Sequence, residues 1–122
     1  MLSPASTGYA FNRTRNAYLA THLSVAGTHW LRLRGLMLKD AANFPQGEGL
    51  WIVPSRGVHT LAMKFPIDVL FLDKKRKVLK IRRDMVRRRM AICLFAHSVL
   101  ELPAGMVEVS GTMPGDQLEL KR

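Results

Sequence analysis

Short apolar runs, separated by residues that favour turns, recur along most of the chain. Between residues 18 and 25 apolar and polar side chains alternate, which predicts a half-buried strand. Further runs predict short strands at residues 50–53, 58–63, 67–72, 77–81, 99–102 and 117–120. The run at 67–72 has almost no polar side, so we expect both of its faces to be covered.

Helical periodicity is confined to one early segment. Thr28 is a suitable N-cap, and Trp30, Leu33 and Met37 then fall on a single apolar stripe, which predicts a helix over residues 29–38. A single helical turn is predicted at 106–110, after the turn formed by residues 103–105. Residues 82–97 show no clean period, and we predict an irregular connection there.

These elements indicate an α+β fold. Strands separated by tight turns, with one early helix and a short C-terminal helical turn, favour a mainly antiparallel sheet. Short strands twist strongly, so we expect the sheet to curl and become barrel-like. The length of 122 residues predicts a single α+β domain over residues 11–122, preceded by a flexible tail at 1–10.

Composition narrows the class of protein. The single cysteine, Cys93, excludes an internal disulfide and fits a reducing compartment. No apolar run approaches the roughly 18–20 residues that a membrane span requires. The first residues lack the charged start and continuous apolar stretch of a signal peptide. We therefore expect a cytoplasmic protein without a membrane span.

The net charge of +10 is concentrated in one segment. Residues 74–90 hold ten of the 19 cations and one acid, whereas the rest of the chain carries nine cations and eight acids. A local excess of this kind predicts an anion-binding surface. Its candidate residues are Arg82, Arg83, Arg87, Arg88 and Arg89. The alternative is a solvated hairpin, because the segment contains no aromatic residue on which bases could stack.

Asp68 is the most constrained polar residue in the apolar middle of the chain. It shares a strand face with Leu70 and Leu72, so an ionised carboxylate there needs a partner. That partner is either a nearby cation or His59, or else loop N–H groups that the carboxylate caps. The candidate cations are Arg32, Arg34 and Lys64.

We predict a ligand-binding groove beside the mid-chain strands, because a charged group among apolar side chains near turns is typical of a pocket. Its candidate residues are Trp51, His59, Met63, Asp68 and Glu101. Structural roles are the alternative. His59 would then be a hydrogen-bonded core histidine, and Glu101 would have a structural or rim role on the strand face opposite Leu100 and Leu102.

No motif identifies a catalytic, metal or cofactor site. The histidines at 22, 29, 59 and 97 have no metal-ligand spacing, and we expect neither a metal nor a cofactor. Cys93 lies between Ile92 and Leu94, which suits an inert buried thiol better than a nucleophile. A glycine-rich phosphate loop is also missing from the sequence.

Three short motifs occur in a familiar order and spacing. They are Arg34-Gly35-Leu36-Met37, the run at 66–73, and Leu100-Glu101-Leu102-Pro103-Ala104-Gly105, which is followed by Gly115-Asp116. Together they resemble domain-of-unknown-function family 192 over residues 12–120. The resemblance implies a small α+β domain with a curled sheet and no established activity. The chain departs from the family pattern at residues 59–63, and the basic segment at 82–89 is unusual for the family.

The sequence is compatible with three functions. We favour a non-enzymatic domain that binds a small ligand or a protein partner near Asp68. A second possibility is a module whose basic hairpin, residues 74–90, contacts nucleic acid or another anionic surface. The third is an enzyme that uses Asp68 with His59 or Glu101 for proton transfer.

Overall fold

The computed structural model describes residues 8–26, 44–59, 65–86 and 89–122, with Val58 and His59 described by their backbone alone. Nine strands occur in these ranges. Their bounds are β1 Gly8–Asn12, β2 Ala17–Ala26, β3 Glu48–Ile52, β4 Gly57–His59, β5 Ile67–Leu72, β6 Val78–Met85, β7 Met90–Ile92, β8 Ser98–Pro103 and β9 Leu118–Lys121. One helix, α1 at Met106–Ser110, accompanies them in the described ranges.

Seven of the strands form one curled half-barrel sheet in the order β6-β5-β8-β3-β2-β1-β9, while β4 and β7 form a separate two-stranded ribbon. The predicted curl is confirmed. The predicted mainly antiparallel arrangement is wrong, because β2 and β3 pair parallel and the sheet is mixed. Alternation along a strand fixes which side chains face the core but not the direction of the neighbouring strand. Residues 27–47, between β2 and β3, exceed the dozen or so that a parallel crossover needs.

Strand β5 lies near one end of the sheet between β6 and β8, and all six of its residues are buried. Its predicted bounds, 67–72, and its burial on both faces are confirmed. Continuous apolar composition is typical of a strand that other elements cover on both sides. The face of β5 that carries Leu70 and Leu72 looks into the curl, and the face that carries Val69 and Phe71 looks outward.

Two apolar clusters stabilise the sheet. The inner cluster includes Leu19, Trp51, Leu100 and Leu102, and Val107 of α1 packs into it. The outer cluster covers the opposite face of β3, β5 and β8 and includes Ala91 of the β4–β7 ribbon. The sheet therefore has one core inside the curl and a second core beneath the ribbon.

The ends of the curled sheet approach each other. Lys77 and Gln117 form an isolated antiparallel bridge between the chain before β6 and the chain before β9. The N–H of Val78 donates to the carbonyl of Asp116 (2.9 Å), and the N–H of Leu118 donates to the carbonyl of Arg76 (3.0 Å). These bonds connect the two edge strands at one end of the half-barrel.

The helical predictions had different outcomes. The turn at 106–110 is confirmed as α1. The early helix predicted at 29–38 lies outside the described residues. Nowhere in the described ranges does a helix have the length and apolarity needed to cross a bilayer.

The irregular connection predicted at 82–97 is wrong in two places. Strand β6 continues to Met85, and β7 occupies Met90–Ile92. Periodicity failed because a bulge interrupts β6: Ile67 pairs with Met85, but Val69 pairs with Arg82. One extra residue in a strand shifts the face on which every later side chain lies. Strand β1 begins at Gly8, inside the predicted tail at 1–10, and the remainder of that tail lies outside the described residues.

Candidate functional site

The Asp68 side chain is 1% exposed and accepts hydrogen bonds from three backbone N–H groups. Its Oδ1 accepts from Asp84 N at 2.8 Å. Its Oδ2 accepts from Gly105 N at 3.1 Å and from Val107 N at 3.0 Å. Of the two roles that the sequence left open, the structure therefore places Asp68 as a cap on loop and helix N–H groups.

Asp68 joins two irregular backbone segments. Asp84 lies at the β6 bulge with φ 54°, and Gly105 precedes α1 with φ 99°. Both conformations turn an N–H away from a regular ladder, and a buried N–H without an acceptor is costly. Gly105 suits its position because the left-handed region favours glycine. The carboxylate on β5 thus fixes the bulge and the start of α1 against the same strand.

A cleft of about 360 Å³ opens beside this junction. The lining residues are Asp68, Arg83, Asp84, Ala104, Gly105 and Glu108. The side chains of Arg83, Asp84 and Glu108 are exposed, and in the described ranges none of the three takes part in an ion pair. The cleft therefore presents one guanidinium and two carboxylates to solvent, beside a buried carboxylate whose two oxygens both accept backbone N–H groups.

Glu101 lies on the outer face of β8, opposite Val69 of β5 and Leu50 of β3. It is 5% exposed, and its Oε1 has no hydrogen-bond partner among the described residues. Burial raises the pKa of the Glu101 carboxyl to about 8. The group is therefore mostly neutral at pH 7, as a carboxyl buried in an apolar cluster should be.

Trp51 lies on the inner face of β3 and is buried in the inner cluster. The guanidinium carbon of Arg76 lies 4.9 Å from the centre of its indole rings, which is a cation–π distance. Its Nε1 and the Oγ of Ser98 are both buried without a partner in the described part of the chain. Trp51 does not line the cleft beside Asp68.

The predicted ligand-binding residues do not gather at one place. Asp68 and Trp51 belong to the inner face, whereas Glu101 belongs to the outer face. Because the sheet separates them, Asp68 and Glu101 cannot share a proton or a ligand. His59 pairs with Met90 through the backbone, but its side chain and all of Met63 lie outside the described residues.

The predicted anion-binding residues occupy the edge strand β6 and the chain after it. Arg82 and Lys80 lie opposite Val69 and Phe71, which places both cations on the outer face. Arg83 lines the cleft instead. Arg89 is exposed, and Arg87 and Arg88 lie outside the described residues.

A buried polar network that the sequence analysis missed connects β1 to the turn before β9. Asp116 accepts hydrogen bonds from Asn12 Nδ2 (3.0 Å), Arg15 Nε (2.9 Å) and Met113 N (2.9 Å). Burial alone would raise the pKa of Asp116, but the bonds from Arg15, Asn12 and Met113 outweigh it and lower the pKa from its usual value. The available signal was the Gly115-Asp116 motif, which lies far from its partners in the sequence.

Two cleft residues, Asp84 and Glu108, were also missed. Asp84 is the one acid within residues 74–90, and that isolation was a usable signal. Glu108 gave none, because an exposed acid in a helical turn is unremarkable in sequence. Among the described residues, no group of three or more His, Cys, Asp or Glu side chains is arranged to hold a metal ion.

Comparison of the sequence with models of known protein families assigns the chain to one family. The sequence model of domain-of-unknown-function family 192 (DUF192), described as "Uncharacterized ACR", matches residues 10–120. The chain belongs to the DUF192 family. The predicted family resemblance is thus confirmed. The DUF192 family carries no established activity, so membership supports the fold and leaves the reaction or ligand open.

Relatives of this DUF192 domain agree with that assignment. A UPF0127 protein from Thermococcus sibiricus is 28% identical over 113 residues, which cover 88% of this chain and 71% of the relative. A crystal structure of a protein of unknown function from Novosphingobium aromaticivorans matches with a TM-score of 0.77 and 20% identity, covering 92% of this chain and 82% of that one. A suggested transcription regulator from Sinorhizobium meliloti matches with a TM-score of 0.77 and 23% identity, covering 93% and 91%. At these identities the two structures establish the fold alone.

Proposed function

We propose that this DUF192 domain is a small non-enzymatic binding domain whose ligand occupies the cleft beside Asp68. The observation that carries the proposal is a set of exposed charged side chains around a cleft of about 360 Å³, namely Arg83, Asp84 and Glu108, none of which forms an ion pair within the described ranges. That volume is within the range of small-molecule sites. The hydrogen bonds that fix Asp68 hold the floor of the cleft in place.

The charge pattern favours a small zwitterion. The guanidinium of Arg83 suits a ligand carboxylate, since its planar N–H groups match that geometry. The carboxylates of Asp84 and Glu108 suit a ligand ammonium group. Asp68 is a scaffold in this proposal, because both of its oxygens already accept backbone N–H groups. Free amino acids are the simplest probes with this chemistry.

The test is a titration of the isotopically labelled protein with individual free amino acids, followed by NMR through the backbone amide signals. We expect at least one amino acid to shift the amides of Arg83, Asp84, Gly105 and Glu108, with a Kd in the range of about 0.1–1 mM. Arg83→Gln and Glu108→Gln should each weaken that binding about tenfold, since each removes one charged contact.

Arg13→Gln is the matched control. Arg13 is an exposed arginine whose side chain makes only a long 4.0 Å approach to Glu119 among the described residues, away from the cleft. Its loss should leave the titration unchanged. The proposal would be overturned if Arg13→Gln removed the amide shifts as completely as Arg83→Gln does. It would also be overturned if none of the amino acids tested shifted the amides of the cleft.

A second candidate is a module that binds anionic surfaces through the basic hairpin at 74–90. The observation that favours it is the common outer-face position of Lys80 and Arg82 on an edge strand. The S. meliloti relative adds no support for nucleic acid, since its likeness to this chain is one of fold. Elution from heparin tests this candidate, and we expect retention that falls steeply with salt. Lys80→Gln/Arg82→Gln should elute at lower salt than Arg13→Gln, and equal elution of the two variants would dispose of the candidate.

A further inference from the structure

A tight turn places large apolar side chains in solvent at one corner of the molecule. Leu94 is 72% exposed and Phe95 is 90% exposed. Both lie at the centre of the turn that closes when the N–H of Ala96 donates to the carbonyl of Cys93 (3.1 Å). Ile92, just before the turn, is 52% exposed. We call Ile92, Leu94 and Phe95 the apolar tip.

The local fold explains why the apolar tip is uncovered. In the β4–β7 ribbon, Ala91 packs into the outer cluster, so the alternating neighbours Met90 and Ile92 must face away from it. Gly57 pairs with Ile92 across the ribbon and has no side chain with which to cover it. Ala96 returns to the outer cluster after the turn. In β7 and the turn after it, the small residues therefore pack against the outer cluster and the large apolar residues face solvent.

Cations lie beside the apolar tip. Lys80 Nζ donates to the carbonyl of Ile92 (3.0 Å), and the N–H of Cys93 donates to the carbonyl of Arg56 (2.8 Å). Arg82 lies on the same face of β6 as Lys80. The two stretches of sequence that contain the ribbon and its turn, residues 49–67 and 85–100, include no acidic residue. This corner of the molecule thus combines exposed apolar side chains with neighbouring cations.

We propose that the apolar tip inserts into the interfacial region of a bilayer that contains anionic phospholipids, while Arg56, Lys80 and Arg82 contact the lipid phosphates. Exposed apolar side chains next to a group of cations are the composition of an interfacial membrane anchor. The long Lys and Arg side chains reach the phosphates while the tip enters the region below them. This inference rests on the second candidate function, because it names the anionic surface, and it is independent of the cleft.

A bilayer fits this surface better than the other anionic partners. Single-stranded nucleic acid is held by several aromatic side chains along a groove, and the tip offers one aromatic ring on a convex turn. A protein partner would need a concave apolar pocket with an acidic border, which is a more specific requirement than a fluid anionic interface. The largely exposed side chains of Leu94 and Phe95 on a convex turn suit shallow insertion.

The experiment is co-sedimentation of the full chain with large unilamellar vesicles, made either of phosphatidylcholine alone or of phosphatidylcholine mixed with phosphatidylglycerol. We expect binding to the mixed vesicles at low salt and at least tenfold weaker binding to phosphatidylcholine. Leu94→Ser/Phe95→Ser should weaken binding to the mixed vesicles about tenfold or more. Lys80→Gln/Arg82→Gln should weaken it as well and reduce its dependence on salt.

Val109→Ser/Met113→Ser is the matched control, since Val109 and Met113 are 71% and 52% exposed but lie on α1 and in the loop after it. It should bind like the unchanged protein, and circular dichroism checks that all variants are folded. Salt-sensitive vesicle binding that Leu94→Ser/Phe95→Ser leaves intact would overturn the insertion of the tip and retain the second candidate. Binding of a single-stranded oligonucleotide without vesicle binding would overturn the bilayer in favour of nucleic acid. Neither result bears on the amino-acid titration of the cleft.

Discussion

The Asp68 carboxylate is held by backbone N–H groups of Asp84, Gly105 and Val107. A cation would have supplied charge, but long cationic side chains seldom reach a fully buried position without a high desolvation cost. Backbone N–H groups are already present wherever a bulge or helix start leaves them unpaired. At the scale of single residues, one side chain therefore gives hydrogen-bond acceptors to unpaired backbone N–H groups, and those N–H groups in turn stabilise the buried carboxylate.

Replacing Asp68 with asparagine should destabilise the domain by about 2 kcal/mol, because the side-chain amide retains one acceptor oxygen and turns donors toward an N–H group. Urea denaturation measures the change. Asp73→Asn is the control, since Asp73 Oδ1 also accepts two backbone N–H groups, from Lys75 (2.8 Å) and Lys77 (2.9 Å), but in an exposed turn. Its cost should stay below about 1 kcal/mol. Equal losses for the two variants would contradict a special role for Asp68.

Glu101 should make the domain less stable as pH rises, whereas a carboxylate paired with a cation makes a protein more stable as pH rises. Burial raises its pKa from 4.5 to about 8 in the folded protein. Its stabilising contribution is therefore complete below the unfolded pKa and is lost as pH rises through the folded pKa. Glu101→Gln removes this loss and should be more stable than the unchanged protein by about 3 kcal/mol at pH 7.

The measurement is the free energy of unfolding of both proteins from pH 4 to pH 9. Their difference should grow between pH about 4.5 and about 8 and then level off. Other titrating groups are common to both chains and cancel in that difference. A difference that does not vary with pH would show that the Glu101 carboxyl is ionised in the folded state.

At the scale of elements, the parallel pair β2–β3 depends on a close approach at Gly49. A Cβ at this position would lie 2.9 Å from Ala20 Cβ and 3.2 Å from Leu102 Cδ2. Gly49→Ala should therefore cost about 1–3 kcal/mol through overpacking. Adding Ala20→Gly removes the tightest contact and should recover part of the loss relative to the sum of the two single changes. Thermal or urea unfolding of the four proteins gives the coupling, and strict additivity would contradict the proposed contact.

The Asp116 network joins β1 to the turn before β9, two segments about a hundred residues apart in sequence. Because its folded pKa is lowered, Asp116 stabilises the domain above its unfolded pKa, and that contribution is lost as pH falls through the folded pKa. Asp116→Asn should cost about 2 kcal/mol at neutral pH, and the difference should shrink in acid. Arg15→Gln, which removes one of the groups bonded to Asp116, should reduce the free energy of unfolding by less than Asp116→Asn does. Urea unfolding between pH 7 and pH 2.5 measures both, and a difference that persists unchanged in acid would contradict the network.

At the scale of the whole molecule, charge is distributed very unevenly. Ten cations within residues 74–90 repel one another, and they lie in the turn before β6, on that edge strand and in the sequence that follows it. Raising NaCl from about 0.05 M to about 0.5 M should screen this repulsion and raise the melting temperature by a few degrees. Arg82→Gln/Arg83→Gln should show a smaller rise than Arg13→Gln. The same salt response in both variants would place the repulsion elsewhere.

Local patterns predicted the elements better than the contacts between them. The strand at 67–72 and the helical turn at 106–110 follow from continuous apolar composition and from the turn before α1, both of which act over a few residues. The bulge at Asp84 escaped prediction because it depends on pairing with β5. The candidate site divided for the same reason: Asp68 was identified, but Glu101 proved to lie on the opposite face, and Glu108 joined Asp68 only through the position of α1.

The sequence by itself determined the family, the strand-rich composition of the fold, the burial of Asp68 and the concentration of positive charge, because each depends on residue types and short spacings. Tertiary structure alone decided that β2 and β3 run parallel, which N–H groups hold Asp68, and that Leu94 and Phe95 project from a cationic corner. Those features depend on which segments, far apart in the chain, become neighbours. The direction of strand pairing and the contacts of each side chain are set by the packing of the entire domain. A short window of the sequence does not contain both of the segments that pair.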